Sequence, residues 1–193
     1  RQARDGRESA DSQFRSRSAY IKRLIVNHIP RDSNTCIVDL GCGHGAFLYF
    51  LAKAGYTRLS GVDLSFEQVE LAKRLGIDSV QHGDLRQLVT ALENESVDVV
   101  LLMDVLEHLT RPEMFELLTN VERVLRPGGK CMAHVPNAEG LYGMAIRYGD
   151  ITHEQAFTAQ SARQIFLTCG FSNILCYEEK PVVHGPMSLV RRI

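Results

Sequence analysis

The most informative segment of the chain is Val38-Asp39-Leu40-Gly41-Cys42-Gly43-His44-Gly45-Ala46. A short apolar run precedes it and an amphipathic run follows it, which is typical of a buried strand that turns sharply into a helix. Glycines permit such a turn, because a residue without Cβ accepts positive φ and lets a ligand approach the backbone. Unpaired N–H groups at the start of the helix then face that ligand with a partial positive charge. The segment therefore predicts a ligand-binding turn.

Length and composition limit the class of protein. The chain has 193 residues, 45% of them hydrophobic, which predicts one domain with one core. A net charge of −1 gives no reason to expect a nucleic acid partner. Apolar runs stay well below the roughly 18 residues that cross a bilayer, so we expect no membrane span. Five cysteines without Cys-x-x-Cys spacing indicate a reducing compartment, so we expect a cytoplasmic protein and no metal site.

The polarity and the helical spacing of the N-terminal residues predict where the domain begins. Residues 1–17 are polar and rich in arginine, which predicts a solvated tail. Apolar residues then recur with helical spacing over residues 18–29, where we expect a helix that covers the ligand site or packs on a sheet edge. Residues 18–193 are predicted to form a single domain.

Strand and helix patterns alternate after the glycine turn. Strands are predicted at residues 59–63, 79–82, 97–103 and 130–135, with a closing hairpin at 171–178 and 181–190. Such alternation predicts a parallel sheet with helices on both faces, which binds ligands at the carboxyl ends of its strands. Four aspartates fall at or near predicted strand ends: Asp39, Asp63, Asp84 and Asp104. We therefore expect the binding site at that edge of the sheet.

Three of these carboxylates indicate the kind of ligand. Asp39 precedes the glycine turn, where it repels a pyrophosphate and suits an ammonium group. Asp63 stands where a carboxylate accepts both ribose hydroxyls, and Asp84 can accept from the amino group of adenine. Together they suit an adenosine that carries an amino acid, as S-adenosylmethionine does. Two alternatives remain: an NAD-dependent oxidoreductase with the same glycine loop, and, for each isolated aspartate, a helix N-cap.

Five segments of the chain resemble the class I S-adenosylmethionine-dependent methyltransferases, specifically the type 11/12 small-molecule group. They are the glycine turn, Gly61-Val62-Asp63-Leu64-Ser65, Gly83-Asp84, Asp104-Val105-Leu106-Glu107-His108-Leu109 and Leu125-Arg126-Pro127-Gly128-Gly129. The resemblance implies a Rossmann-like three-layer α/β sandwich. Its sheet is expected to have seven mostly parallel strands, with one antiparallel strand in the last hairpin. S-adenosylmethionine is the implied cofactor and S-adenosylhomocysteine the product.

The resemblance also implies which residues contact the cofactor. The glycine turn is expected at the methionine portion, the end of the second strand at the ribose, the next turn at the adenine, and the end of the fourth strand at the transferred methyl group. The implied cofactor residues are Asp39, Gly41, Cys42, Gly43, His44, Asp63, Leu64, Asp84, Leu85 and Asp104.

Two histidines are candidates for the chemistry. Transfer of a methyl group from a sulfonium is an in-line displacement, in which alignment alone supplies on the order of 7–11 kcal/mol. A hydroxyl acceptor also needs a base, for which histidine is the usual choice near neutral pH. His108 follows Asp104 closely, and His153 precedes a Phe-Thr helix cap as in small-molecule and sugar methyltransferases. We expect one of them to be the base, with a loop-stabilising role as the alternative.

The acceptor is predicted mainly from missing features. The fourth strand is not followed by the Asn/Asp-Pro-Pro-Tyr/Phe pattern of enzymes that methylate base or amide nitrogens, and no basic groove for nucleic acid is evident. A small molecule remains, most simply a hydroxyl of a sugar, a lipid-linked intermediate or a natural product. Tyr142, Tyr148 and Asp150 lie in a segment suited to contact a sugar ring. A catalytically inactive methyltransferase-like binding subunit is a further alternative.

Overall fold

Five parallel strands form the central sheet in the computed structural model, which describes residues 10–178. The strands are β1 (Cys36–Leu40), β2 (Arg58–Asp63), β3 (Val80–His82), β4 (Val97–Met103) and β5 (Leu125–His134). Their spatial order is β3-β2-β1-β4-β5, so the direction of winding reverses between β1 and β4. A crevice at such a reversal is the usual ligand site of an open parallel sheet.

Helices cover both faces of the sheet. They are α1 (Arg15–His28), α2 (Ala46–Lys53), α3 (Phe66–Arg74), α4 (Leu85–Ala91), α5 (Arg111–Val124), α6 (Gly143–Gly149) and α7 (Ala159–Thr168), with a 3₁₀ turn at Leu106–His108. No helix within residues 10–178 has both the length and the apolar character needed to span a membrane.

Two apolar clusters show that the sheet is the middle of three layers. Ile37 of β1 packs with α1, α2 and α3, whereas Val38 and Leu40 pack on the other face with α4 and α5. Successive side chains of a strand point to opposite faces, so one continuous apolar strand supplies both cores. The predicted Rossmann-like three-layer architecture is confirmed.

Gly61 in β2 allows α2 to approach the sheet closely. Gly61 pairs with Asp39 of β1, and a Cβ added to it would lie 2.5 Å from Leu48 Cδ1 and 2.8 Å from Cys42 Sγ. Those separations are well inside van der Waals contact, so any side chain at this position would force Leu48 and Cys42 to move.

The predicted solvated tail over residues 1–17 is wrong for its second part. Residues 10–13 are helical, α1 begins at Arg15, and Ala10 and Phe14 are buried. The Phe14 ring packs against Tyr49, at 5.4 Å between ring centroids, and this contact with α2 offsets the polar composition around it. Residues 1–9 lie outside the described part of the chain. The predicted covering helix over 18–29 corresponds to α1, which starts three residues earlier.

The sheet has five strands within residues 10–178, not the seven that the resemblance implied. Residues 171–178, predicted as the first half of a hairpin, have no strand structure, and the predicted second half, 181–190, lies outside the described residues. A strand needs a ladder of backbone partners, and no strand within residues 10–178 pairs with residues 171–178. The N of Phe171 instead donates to the Phe166 carbonyl, and the Ile174 carbonyl accepts from the Arg163 side chain, so this segment is bonded to α7 and its end. The fifth strand also begins earlier than predicted, at Leu125, because an irregularity in the β4–β5 pairing accommodates Pro127-Gly128-Gly129 within the strand.

Candidate functional site

The glycine turn lies at the carboxyl end of β1, beside the point where the strand order reverses. Gly41, Gly43 and Gly45 all have left-handed φ values, of 75°, 55° and 78°. A Cβ on Gly41 would lie 2.7 Å from Val105 Cγ2, so the turn packs directly against the segment that follows β4. The predicted strand-turn-helix arrangement is therefore present, and it contacts the segment after β4 that carries Asp104 and His108.

Asp39 is a buried carboxylate, and one of its oxygens has no hydrogen-bond partner within residues 10–178. Its side chain is 2% exposed, and its Oδ1 accepts no hydrogen bond from the described residues. Burial raises the pKa of Asp39 to about 7, and the nearby charge of Asp63 adds to the effect. An unpaired buried carboxylate destabilises a fold unless a cation or donor meets it. The site therefore fits a ligand with an ammonium group, as S-adenosylmethionine has.

Asp63 connects the glycine turn to the end of β2. Its Oδ2 accepts from the backbone N of Gly43 at 2.7 Å, and its Oδ1 accepts from the N of Ser65 at 2.9 Å. A carboxylate has about four acceptor sites, so two hydrogen bonds leave capacity for a diol. Leu64 beside it is 71% exposed, a large apolar side chain at the edge where the adenine is expected.

Asp84 is a helix N-cap, which was the alternative to a ligand-binding role at this position. Its Oδ1 accepts from the backbone N of Arg86 at 2.7 Å and caps α4. Arg86 also pairs with Glu113, at 2.8 Å between Nη1 and Oε1. Leu85 borders the glycine turn, since its Cδ2 lies 3.8 Å from the position of a Cβ on Gly41. The cap does not prevent Asp84 Oδ2 from accepting a further hydrogen bond.

Cys42 and His44 are held in place by packing and hydrogen bonding. Burial raises the pKa of the Cys42 thiol, which makes it unreactive at neutral pH. His44 Nδ1 is hydrogen-bonded to Gln68 Oε1 at 2.8 Å, and its ring stacks on Phe14 at 5.2 Å between centroids. Phe14, which directly precedes α1, therefore contacts the glycine turn through the His44 ring.

Asp104 follows β4 in a conformation that is uncommon for a residue with a side chain. Its φ is 57°, in the left-handed region, where non-glycine residues concentrate at functional sites. Its carboxylate contacts Nδ1 of His134, the last residue of β5. His134 was not among the predicted site residues, because it is distant in sequence and only the β4–β5 pairing places it here.

The two predicted catalytic histidines lie together, with Glu107 beside them. The rings of His108 and His153 are 4.9 Å apart between centroids. One ligand-type atom from each of Glu107, His108 and His153 lies within 4.8 Å of the other two. We call these three residues the Glu-His-His cluster. Glu107 was not predicted as a site residue, although its position directly before His108 in the segment that follows the fourth strand was a usable signal.

Glu107 resembles Asp39 in its environment. It is 2% exposed, and its Oε2 has no hydrogen-bond partner among the described residues. Burial raises the pKa of Glu107, and the charge of Asp104 adds to that effect. A hydrogen bond from the Glu107 backbone N–H and the two histidines of the cluster oppose it. Its backbone carbonyl accepts from the N of Glu154 at 2.7 Å and the N of Gln155 at 3.1 Å. These bonds attach the segment that carries His153 to the end of β4.

Hydrogen bonds orient both imidazoles in the same way. The Thr152 hydroxyl donates to Asp150 Oδ1 at 2.7 Å, so its oxygen accepts from Nδ1 of His108 at 3.0 Å. The Ile146 carbonyl can only accept, so Nδ1 of His153, at 3.0 Å, carries the proton. In a neutral imidazole the other nitrogen is then unprotonated. Both histidines therefore have Nε2 available to accept a proton or bind a cation.

Exposed apolar side chains lie in the segment around α6, which includes Tyr142 and Tyr148 of the segment predicted to contact a sugar ring. They are Leu141 (96% exposed), Tyr142 (72%), Met144 (71%), Ile146 (45%), Tyr148 (70%) and Ile151 (99%). We call them the α6 apolar surface. Apolar side chains grouped at a surface usually mark a binding site. The Ile146 carbonyl bonded to His153 connects this surface to the Glu-His-His cluster.

Comparisons with known proteins show which family the sequence resembles. Residues 38–133 match the family model described as "Methyltransferase domain". An uncharacterized 37.1 kDa protein in transposon TN4556 of Streptomyces fradiae is 38% identical over 143 residues, which are 71% of this chain and 39% of that protein. A ubiquinone biosynthesis O-methyltransferase of Brucella anthropi is 33% identical over 145 residues, or 68% of this chain and 56% of that protein.

A solved structure supports the fold. A S-adenosylmethionine-dependent methyltransferase from Archaeoglobus fulgidus superposes with a TM-score of 0.72 at 22% identity, covering 94% of this chain and 87% of that one. The chain belongs to this methyltransferase-domain family, and its fold is that of a S-adenosylmethionine-dependent methyltransferase. The match to a methyltransferase domain does not support the NAD-dependent alternative. The chain spans between two fifths and three fifths of the length of the two relatives named above.

Proposed function

We propose that this chain transfers the methyl group of S-adenosylmethionine to a hydroxyl of a small molecule bound at the Glu-His-His cluster. The observation that carries the proposal is the position of that cluster, in the segment that follows β4. Val105 of the same segment packs against Gly41 of the glycine turn. A methyl donor in the turn and an acceptor at the cluster are then neighbours, which in-line transfer requires.

The carboxylates on the other side of the crevice are proposed to bind the cofactor. Asp39 receives the ammonium group, which gives its buried Oδ1 a partner, and Asp63 receives the ribose hydroxyls. Leu64 and Leu85 border the adenine, with Asp84 at its edge. The turn residues Gly41, Cys42, Gly43 and His44 line the methionine portion, and Asp104 borders the transferred methyl group.

The histidines are proposed to handle the acceptor's proton. When bound, the cofactor supplies a methyl group on a sulfonium, whose C–S bond breaks as the bond to the acceptor oxygen forms. Nε2 of His108 or His153 takes up the hydroxyl proton, because Nδ1 of each ring is held as a donor by protein oxygens. The products are a methyl ether, S-adenosylhomocysteine and one proton.

The α6 apolar surface favours an acceptor with an apolar or aromatic portion. Six large apolar side chains in one segment suit a lipid-linked intermediate or an aromatic natural product better than a bare sugar. Similarity to an O-methyltransferase of ubiquinone biosynthesis supports an oxygen acceptor of that kind. The proposal therefore narrows the acceptor to a hydroxyl, most simply a phenolic one, on a partly apolar molecule.

Calorimetry followed by a transfer assay tests the proposal. We expect S-adenosylhomocysteine to bind with one site per chain and NAD not to bind. S-adenosylhomocysteine formation is then measured with alkylated phenols and with sugar nucleotides, and we expect turnover with the phenols. Failure to bind S-adenosylhomocysteine contradicts the whole proposal. Binding without transfer to any acceptor supports the inactive-subunit alternative instead.

A pair of variants tests the role of the histidines. His108→Ala combined with His153→Ala is expected to keep S-adenosylhomocysteine binding and lose at least about 100-fold in turnover. His28→Ala is the control, because the His28 ring contacts Tyr177 and belongs to α1 rather than to the cluster. Full turnover in the double variant contradicts the assignment.

A further inference from the structure

We propose that the Glu-His-His cluster is a binding site for a divalent first-row transition-metal cation. Its ligands are a carboxylate oxygen of Glu107 and one ring nitrogen each of His108 and His153. These three atoms lie within 4.8 Å of one another. Ligand atoms about 2.1 Å from one ion are roughly 3–3.5 Å apart, so a movement of about 1 Å brings all three into coordination. Two imidazoles and one carboxylate form a familiar ligand set with open positions.

The environment of Glu107 indicates a cation as the missing partner. Its Oε2 is buried and accepts no hydrogen bond within residues 10–178, although burying a carboxylate oxygen without a partner is costly. Both neighbouring imidazoles present an acceptor nitrogen in their neutral form, so neither offers a proton to Glu107. A cation is the ligand that satisfies a carboxylate oxygen and two imidazole nitrogens at the same time.

The hydrogen bonds behind the cluster are those expected behind metal-binding histidines. Histidines that bind a metal through one nitrogen almost always donate the other N–H to a carbonyl, a carboxylate or water. Here Nδ1 of His153 donates to the Ile146 carbonyl, and Nδ1 of His108 donates to Thr152, whose hydroxyl is fixed by Asp150. These bonds fix the tautomer that leaves Nε2 free to bind the ion.

The ion also refines the proposed function, on which this step rests. Three protein ligands leave open positions, to which the acceptor hydroxyl can bind through its oxygen. A bound cation lowers the pKa of such a hydroxyl, as it does for water, so the proton leaves to solvent. The oxygen then takes the methyl group, the C–S electron pair stays on sulfur, and the neutral ether is a weaker ligand that leaves. In this metal-dependent version of the proposed function, His108 and His153 bind the ion instead of acting as the base, and solvent takes up the proton.

Cobalt titration of the chelator-treated protein tests the site. We expect the full chain to bind one equivalent of Co²⁺, with visible absorption from nitrogen and oxygen ligands. Glu107→Gln and His153→Ala are expected to weaken Co²⁺ binding by more than about 100-fold, beyond the 10–100-fold typical of outer-shell residues. His28→Ala is expected to bind Co²⁺ as the unsubstituted chain does. S-adenosylhomocysteine binding serves as the folding check for each variant.

The same samples separate failure of the site from failure of the proposed function. Loss of turnover on chelation, with recovery on adding Co²⁺ or Mn²⁺, supports the inference. No Co²⁺ binding, or binding unchanged in both variants, overturns it, and chelator-resistant methyl transfer then leaves the proposed function standing with a histidine base. Specific Co²⁺ binding in a chain that fails to bind S-adenosylhomocysteine overturns the proposed function and supports the metal site.

Discussion

The two halves of the crevice are built in different ways. The cofactor side consists of a continuous turn at the end of β1 and the end of β2, joined by backbone hydrogen bonds from the N of Gly41 and the N of Cys42 to the Val62 carbonyl. The acceptor side joins two segments 45 residues apart, carrying His108 and His153, through the backbone carbonyl of Glu107. The first half depends on backbone conformation and the second on side chains brought together by the fold.

Both halves nevertheless contain a buried carboxylate with an unpaired oxygen. Asp39 has one on the cofactor side and Glu107 has one on the acceptor side. Each destabilises the unliganded protein and is available to a cation, an ammonium group in one case and a metal ion in the other. The comparison indicates that this fold retains stability costs at the two places where ligands are proposed to bind.

The largest expected loss of stability comes from disturbing the contact between the two halves, where Gly41 packs against Val105. Gly41→Ala forces a side chain into left-handed φ and against Val105 Cγ2, which together cost roughly 2–5 kcal/mol. Gly76→Ala is a matched control, since Gly76 has the same φ of 75° and no atom within 4 Å of its added Cβ. The control is expected to lose only about 1–2 kcal/mol in urea unfolding. Equal losses in the two variants contradict close packing between the halves.

Asp39→Asn is expected to raise stability while weakening cofactor binding. Because the pKa of Asp39 is raised to about 7, its ionisation opposes folding, and stability falls as pH rises from about 4 to 7. At pH 8 the variant should therefore be more stable, by up to roughly 4 kcal/mol, with no difference at pH 4. Unfolding free energies measured at both pH values check the sign.

The same variant tests the proposed ammonium site. S-adenosylhomocysteine affinity is expected to fall by about 10–100-fold at pH 8. In the unsubstituted chain the affinity is expected to rise between pH 6 and 8 as Asp39 ionises, and Asp39→Asn should abolish that rise. Asp98→Asn is the control, for which we expect a stability change of opposite sign. Burial opposes ionisation of Asp98, but hydrogen bonds from the N of Cys36 and from Arg126 outweigh burial and lower the pKa of Asp98. That variant should lose stability at neutral pH. A more stable Asp98→Asn, or an Asp39→Asn that binds normally, contradicts these assignments.

Thr152→Val tests the acceptor side alone. The substitution keeps the branched shape and removes the hydroxyl that holds His108. We expect turnover to fall by about 10–100-fold, with S-adenosylhomocysteine affinity unchanged. Thr168→Val is the control, because it removes a threonine hydroxyl hydrogen bond in α7, to Gln164. A change in cofactor affinity in Thr152→Val indicates that the halves are not separable.

The smallest expected effect is at Asp84, where a structural and a ligand role overlap. Asp84→Ala removes the α4 cap and is expected to cost about 1 kcal/mol in thermal unfolding. Asp84→Asn keeps an oxygen for the cap and should be within about 0.5 kcal/mol of the unsubstituted chain. Weaker S-adenosylhomocysteine binding in the alanine variant, restored by asparagine, supports contact with the adenine. Unchanged binding in both variants assigns Asp84 to the cap alone.

Most of the fold could be predicted from the sequence because its signals are local. Strand β4 was predicted with its observed bounds, since a continuous apolar run reflects burial on both faces. The burial of Phe14 and the start of β5 at Leu125 were missed, because the first depends on α2 and the second on pairing with Val97 of β4. Neither partner is near in sequence, so no local pattern contains the information.

The candidate site likewise has features that local sequence determines and features that depend on distant residues. The sequence by itself determined the glycine turn and the carboxylates at the strand ends, because φ preferences and strand alternation act within a few residues of each position. Only the tertiary structure decided that Glu107 lies beside His108 and His153 with its Oε2 unpartnered among the described residues, and that Thr152 and Ile146 orient the two rings. Burial and the free nitrogen of each imidazole are properties of the assembled crevice. They arise only when the 104–108 turn and the segment around α6 are brought together on one edge of the sheet.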